Sequence, residues 1–225
     1  LRHVKIESQT DEWAPDAALI RALNMQLMDV RATWGIRSNK AIETTTNAGS
    51  IRFAVVDEIP EAPDALAYHD VDEHGRPYGR LGLHVCEQAG MSISSVLSHE
   101  LVEMQGDLYC QEWSYSGRLR CLVAVELCDP VQSDTYTLGS VEVSNWVTPW
   151  YFIEEEHGRD YDWCRKLAES FSIAPGGYQI QMHAGAVSNV FGREFPEPVY
   201  RAKEHARGRT FWRAVTAALE ATDIV

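Results

Sequence analysis

One short string in this chain joins residue types that bind cations with a spacing that lets them act together: His99-Glu100-Leu101-Val102-Glu103. On an α-helix, residues four apart stand one turn above each other, so the His99 imidazole and the Glu103 carboxylate can reach a single cation. Glu100 is rotated from His99 by about 100°, which turns its carboxylate toward a water bound at that cation rather than toward the cation itself. Two ligands leave such a site incomplete. The third is expected from Glu126 or Asp129, at the end of the apolar run that follows, with Asp107 farther along the same helix in reserve.

This is the geometric logic of the H-E-x-x-H zinc helix, where side chains at i and i+4 bind the metal and the intervening Glu is the general base. Here Glu103 stands where the second histidine would be. A carboxylate lowers the charge of the site and shifts its preference toward harder ions. A divalent ion is therefore expected, zinc first because mixed histidine and carboxylate zinc sites exist, with calcium or manganese as alternatives. The competing reading makes His99 a satisfied, partly buried histidine and places Glu100 and Glu103 on a solvated helix face. Two features weigh against it. The helix is otherwise apolar, and the following apolar strand brings Glu126 and Asp129 to a closing position.

The elements that must position these groups are legible from periodicity. Residues 92–106 read as a helix with Ser92 as N-cap and Gly106 near its end, burying Ile93, Leu97, Leu101 and Met104 while His99, Glu103 and Asp107 line up beside that stripe. An earlier helix opens at Pro15, carries Ile20, Leu23, Leu27, Val30 and Trp34 at helical spacing, and stops at Gly35. After a polar start and that helix, residues 39–50 read as a loop and 51–57 as a strand. Residues 65–86 read as two extended segments around a turn at 73–77, and 119–128 as an apolar strand. A strand pair, 135–138 and 140–144, surrounds Gly139, and an aromatic segment runs over 146–152 with a bend at Pro149. Beyond it come a charged, helix-like stretch at 154–170, a Pro175-Gly176-Gly177 turn, a strand at 178–182 and a final helix near 209–221. The order of elements makes the fold α+β, divided into residues 1–155 and a C-terminal extension over 156–225 that is free to pack on the same domain.

Composition narrows the partners. Across 225 residues, 33 acidic side chains face 20 basic ones, a formal charge of −13. Such a surface repels phosphate backbones and anionic lipid unless its positive charges are concentrated. The densest basic stretch, 193–213, is interrupted by Glu194, Glu197 and Glu204. Nucleic acid and membrane are thereby set aside as partners. The five cysteines include no C-x-x-C pair, so neither a zinc ribbon nor a disulfide framework is indicated, and a reducing compartment fits. The sequence contains no membrane-length apolar stretch and no apolar leader. It also lacks a Gly-rich phosphate loop and a G-x-S-x-G elbow, so nucleotide-dependent and serine-hydrolase readings do not apply. His69, His74 and His84 lie on the extended segments before the helix and can line a cleft, although exposed strand histidines are the plainer interpretation.

The run SHELVEMQGD, followed by AVELCDPV and then VSNWVTPWYF, resembles a family of mostly uncharacterised bacteriophage and bacterial proteins with zincin-like, HExxE-type motifs. The likeness covers roughly residues 65–152, and the PGGY segment at 175–178 extends it. It implies a zincin-like metallopeptidase fold in which an edge strand, here within 65–86, holds extended substrate beside the active-site helix. It further implies His99 as metal ligand, Glu100 as general base, Glu103 in the second ligand position and Glu126 or Asp129 in the third. The activity implied is metal-dependent hydrolysis of a peptide or protein. The alternative is a catalytically inactive virion or tail component that keeps the zincin scaffold and binds other virion proteins. The expected location is the host cytoplasm or the assembled phage particle, and a homo-oligomer is compatible with either role.

Overall fold

The computed structural model describes residues 1–194. The segment that reads as a polar start forms a strand, β1 (Arg2–Ser8), in which Val4 and Ile6 are buried in the core, Lys5 and Glu7 are partly exposed and His3 is exposed. Helix α1 (Ala17–Trp34) follows, its first turn closed by Asp16, whose Oδ1 accepts the Leu19 N–H at 2.7 Å. The helix therefore starts just after the predicted Pro15 and ends, as expected, at Gly35. The segment read as a loop contains β2 (Ile42–Thr45), which pairs in parallel with β1. Parallel neighbours need a crossover connection, and α1 provides it.

Next come β3 (Ile51–Val56), β4 (Ala67–Val71) and β5 (Pro77–Gly82). The turn between β4 and β5 is built by Asp72, whose Oδ1 accepts the N–H groups of His74 and Arg76 at 2.9 Å each. The second extended segment does not continue to Cys86. It becomes α2 (Leu83–Gln88), which buries Leu83 and Cys86 on one side. Helix α3 (Ile93–Gly106) carries the His-Glu string as predicted. The five strands form one sheet in the order β2-β1-β3-β5-β4, all parallel except β4, which runs antiparallel along one edge.

A second, antiparallel sheet is assembled from β6 (Trp113–Ser116) and β7 (Cys121–Ala124) together with two later strands. Between them lies a hairpin of β8 (Thr135–Leu138) and β9 (Val141–Ser144), turning at Gly139 as expected. Strands β10 (Tyr178–His183) and β11 (Ala186–Phe191) complete the sheet in the order β11-β10-β7-β6. The predicted strand over 119–128 is thus only four residues long. After Ala124 the chain leaves the ladder, and the Val147 N–H donates to the Leu127 carbonyl at 2.7 Å, carrying Glu126 to Asp129 across the end of α3.

The stretch at 154–170 forms no helix. Asp162 instead accepts the N–H groups of Lys166 and Leu167 through Oδ1 at 2.8 Å each, and the Asn145 side-chain amide through Oδ2 at 2.7 Å. Such side-chain to backbone bonds offer the chain an alternative to helical hydrogen bonding. The aromatic segment divides at Pro149: Trp146 and Tyr151 are fully buried, while Trp150 and Phe152 are partly exposed. The helix predicted near 209–221 lies outside the described residues. Among the described residues, no helix is long and apolar enough to cross a membrane.

Two cores meet at α3. Leu97, Leu101 and Met104 join Leu23 and Leu27 of α1 and Val4, Phe53 and Leu81 of the first sheet. Val102 joins Leu127, Val131, Trp146, Val147 and Tyr151 on the other side. Each fully buried aliphatic or aromatic side chain contributes about 1.5–3 kcal/mol relative to exposure, so α3 is held from both directions. Every residue from Ser95 to Gln105 is buried, and this makes the polar residues of the helix interior groups. Two close approaches lock the segment beyond α3 in place. A Cβ on Gly106 would stand 2.7 Å from the Leu127 side chain, and one on Gly177 would collide with the Pro130 carbonyl. Only glycine lets the helix end and the start of β10 come so near the Glu126–Asp129 turn.

Candidate metal centre

The polar residues of α3 gather where the two cores join. His99 Nε2 lies 3.1 Å from Glu103 Oε1, the contact expected for residues one helical turn apart. Asp129 Oδ1, delivered by the turn after β7, lies 3.2 Å from the same nitrogen. His99, Glu103 and Asp129 are all buried and present one ligand atom each within 4.8 Å of one another. Ligand atoms about 2.1 Å from a tetrahedral ion are separated by about 3.4 Å, so both contacts have the spacing of neighbours around one cation. The orientation agrees. Neither oxygen is aligned to hydrogen-bond with His99 Nε2, which is buried and makes no hydrogen bond.

Glu100 faces a different neighbour. Its Oε2 lies 3.1 Å from Nδ1 of His69, which projects inward from the middle of β4. The same Nδ1 is 3.8 Å from Glu103 Oε2. His69, Glu100 and Glu103 thus form a second buried group with cation-binding geometry, sharing Glu103 with the first. Glu126 is buried close by, its charge acting on His69, but it belongs to neither group. Asp107 closes the turn after α3, where its Oδ2 accepts the Glu112 N–H at 2.7 Å, and it too stands outside both groups.

Four carboxylates and two imidazoles packed in low dielectric perturb one another strongly. Burial alone would lower the His99 pKa, but the Glu103 charge and the contacts with Asp129 and Glu103 outweigh it and raise the pKa to about 10. For His69, burial is likewise opposed, by Cys110 and by Glu100 and Glu126, and the pKa rises well above the ordinary histidine value. Burial and the charge of Asp129 raise the Glu103 carboxyl against the pull of His99. Without a metal the cluster therefore retains protons. A divalent cation bound there would supply the same positive charge in their place.

Two contributors leave little mark in the sequence. His69 had the same standing as His74 and His84, yet those two lie at the surface, beside Glu73 and beside Glu12 and Glu58. The strand's period of two separates inward from outward residues, but the face that meets α3 is set by sheet order. Tyr178 is the other. Its hydroxyl is hydrogen-bonded to Asp129, and burial, with the charges of Asp129 and Glu103, keeps the phenol protonated. Its sequence signals were its place directly after the Gly176-Gly177 turn and its membership of the PGGY segment, neither of which points to Asp129.

The residues present fit a metal. Two imidazole nitrogens and carboxylate oxygens form a donor set suited to zinc or to a harder divalent ion. Comparison of the chain with protein-family models, with curated proteins and with solved structures finds no match.

Proposed function

We propose that this chain is a zincin-like, metal-dependent hydrolase acting on a peptide or protein. The observation that carries this reading is the buried His99 nitrogen flanked by carboxylate oxygens of Glu103 and Asp129 at 3.1 and 3.2 Å, off hydrogen-bond alignment. His99, Glu103 and Asp129 would hold the ion. When bound, a divalent ion polarises a carbonyl and makes water a stronger nucleophile. Glu100, adjacent to His99 on α3, takes the proton from the attacking water and passes it to the leaving amine. His69 orients the Glu100 carboxylate through the contact at Oε2. Strand β4, antiparallel at the sheet edge and packed against α3, occupies the place where an edge strand would align extended substrate.

Protein purified without chelator, stripped and then titrated with zinc or manganese should bind the ion at the His99 group and cleave an unstructured protein such as casein. Glu100→Gln should retain the ion and lose about 10²–10⁴-fold in turnover, the usual worth of a general base. Absence of bound metal, or full activity in Glu100→Gln, overturns the assignment.

A second reading rests on burial. His99, Glu100, Glu103 and Asp129 are each no more than 8% exposed, an enclosure that suits a cation stabilising a scaffold. In that reading the chain is a virion or tail component, and metal raises its melting temperature without turnover.

A further inference from the structure

Glu103 is placed as a bridging ligand. Its two carboxylate oxygens face different imidazoles: Oε1 lies 3.1 Å from His99 Nε2 and Oε2 lies 3.8 Å from His69 Nδ1. A carboxylate serving one cation from a helix needs only one histidine. Here a second comes from β4, a strand of the other layer, and it brings Glu100 Oε2 to 3.1 Å from the same Nδ1. The His69 side chain is 4% exposed, so its ring nitrogen has been withdrawn from water to face two carboxylates. The histidine-to-carboxylate contacts in the two groups, 3.1 and 3.2 Å at His99 and 3.1 and 3.8 Å at His69, are shorter than the greatest separation two ligands can have on one ion, about 4.2 Å.

We propose that the centre is dinuclear: His99, Glu103 Oε1 and Asp129 hold one divalent cation, His69, Glu100 and Glu103 Oε2 hold a second, and Glu103 bridges them. Carboxylate-rich sites with a shared carboxylate favour first-row divalent ions that accept both nitrogen and oxygen ligands, such as manganese, iron and zinc. This inference builds on the metal reading of the His99 group and adds a second ion to it. It also gives Glu100 a ligand role through Oε2. Two cations match the charge of the cluster better than one, because four buried carboxylates, Glu100, Glu103, Glu126 and Asp129, surround two imidazoles. In two-metal sites the ions stand about 3.5–4 Å apart and together orient a reacting group, a separation that one carboxylate spans.

The test is metal stoichiometry with a spectroscopic readout on the full chain. Metal-free protein titrated with Mn(II) should take up two equivalents, and its electron paramagnetic resonance spectrum should change from the six-line pattern of an isolated ion to the broadened multiline pattern of a spin-coupled pair. His69→Gln should bind one equivalent and retain the six-line spectrum. A thermal melt of that variant with and without Mn(II) establishes that it is folded and still loads the His99 group. Wild-type protein that saturates at one equivalent with an uncoupled spectrum overturns the dinuclear centre and leaves the single-metal reading standing, with His69 a hydrogen-bond partner of Glu100. No uptake at all overturns both. Two equivalents retained in His69→Gln overturn the assignment of the second ion to this group.

Discussion

Asp129 Oδ1 stands 3.2 Å from His99 Nε2, although one residue sits on helix α3 and the other on the turn that follows strand β7 of the second sheet. The contact depends on the chain leaving β7 after Ala124 and crossing the end of α3, where Gly106 allows Leu127 to approach. Asp129 thereby completes a buried group of three that could hold a cation, which His99 and Glu103 alone can only begin.

Asp129→Asn should therefore weaken metal binding far more than it weakens folding. Losing even a group that merely supports a ligand costs about 10–100-fold in affinity, and a direct ligand should cost at least that. The amide keeps the volume, so the packing around this buried side chain persists. Competition with a chromophoric chelator measures the affinity, and an unchanged dissociation constant would remove Asp129 from the ligand set. Asp107→Asn offers the contrast: it retains an oxygen for the Glu112 N–H and should leave the affinity within a few-fold of wild type.

The metal-free protein should lose stability as pH rises. The His99 pKa is raised on folding from 6.5 to about 10, so the folded state holds that proton more tightly than the unfolded chain does. The resulting stabilisation is fully present below about pH 6.5 and disappears as pH climbs through 10. Glu103, also raised, acts in the same direction from a lower starting pH. Metal binding displaces these protons, so affinity should grow over the same interval. Melting temperatures of stripped and metal-loaded protein from pH 6 to 10 test this: the stripped form should decline and the loaded form should change much less. A stripped protein as stable at pH 9.5 as at pH 6.5 would show that the cluster does not hold the proton.

What the sequence revealed depended on the range of the interaction that decides each feature. Helices α1 and α3 and the hairpin at Gly139 were legible because i, i+3 and i+4 apolar spacing and a turn glycine are local signals. The pairing of His99 with Glu103 was legible for the same reason. Strands β1 and β2 were not, because they mix Lys5, Glu7 and Glu43 with few apolar residues; the sheet defines them by parallel pairing across α1. Asp129 emerged as a candidate from its place after an apolar run, but choosing it over Glu126 required the path of the turn. His69 needed the register of β4 against β5 and the packing of that edge on α3, neither of which leaves a mark at residue 69.

Asp162 illustrates how a single side chain can redirect a segment whose charge pattern resembles a helix. The residue is fully buried and its carboxylate accepts from Asn145 Nδ2, Lys166 N and Leu167 N. Asn145 Oδ1 in turn accepts the backbone N–H of Cys164 at 3.0 Å, tying the segment to the strand that leads into Trp146. Asp162→Ala would leave the buried Asn145 side-chain amide unsatisfied at about 1–3 kcal/mol, with a smaller cost at the part-buried N–H groups of Lys166 and Leu167, which water can reach. The total loss should be about 2–4 kcal/mol. The cost should appear as a lower urea midpoint with little change in metal affinity of the folded protein, because Asp162 belongs to neither cation-binding group. Asp162→Asn, which retains one acceptor oxygen for Lys166 and Leu167, should recover part of the stability. If Asp162→Ala instead unfolds at the wild-type midpoint, the carboxylate does not organise the segment, and Trp146 stacking on Trp163 at 4.9 Å would have to hold it.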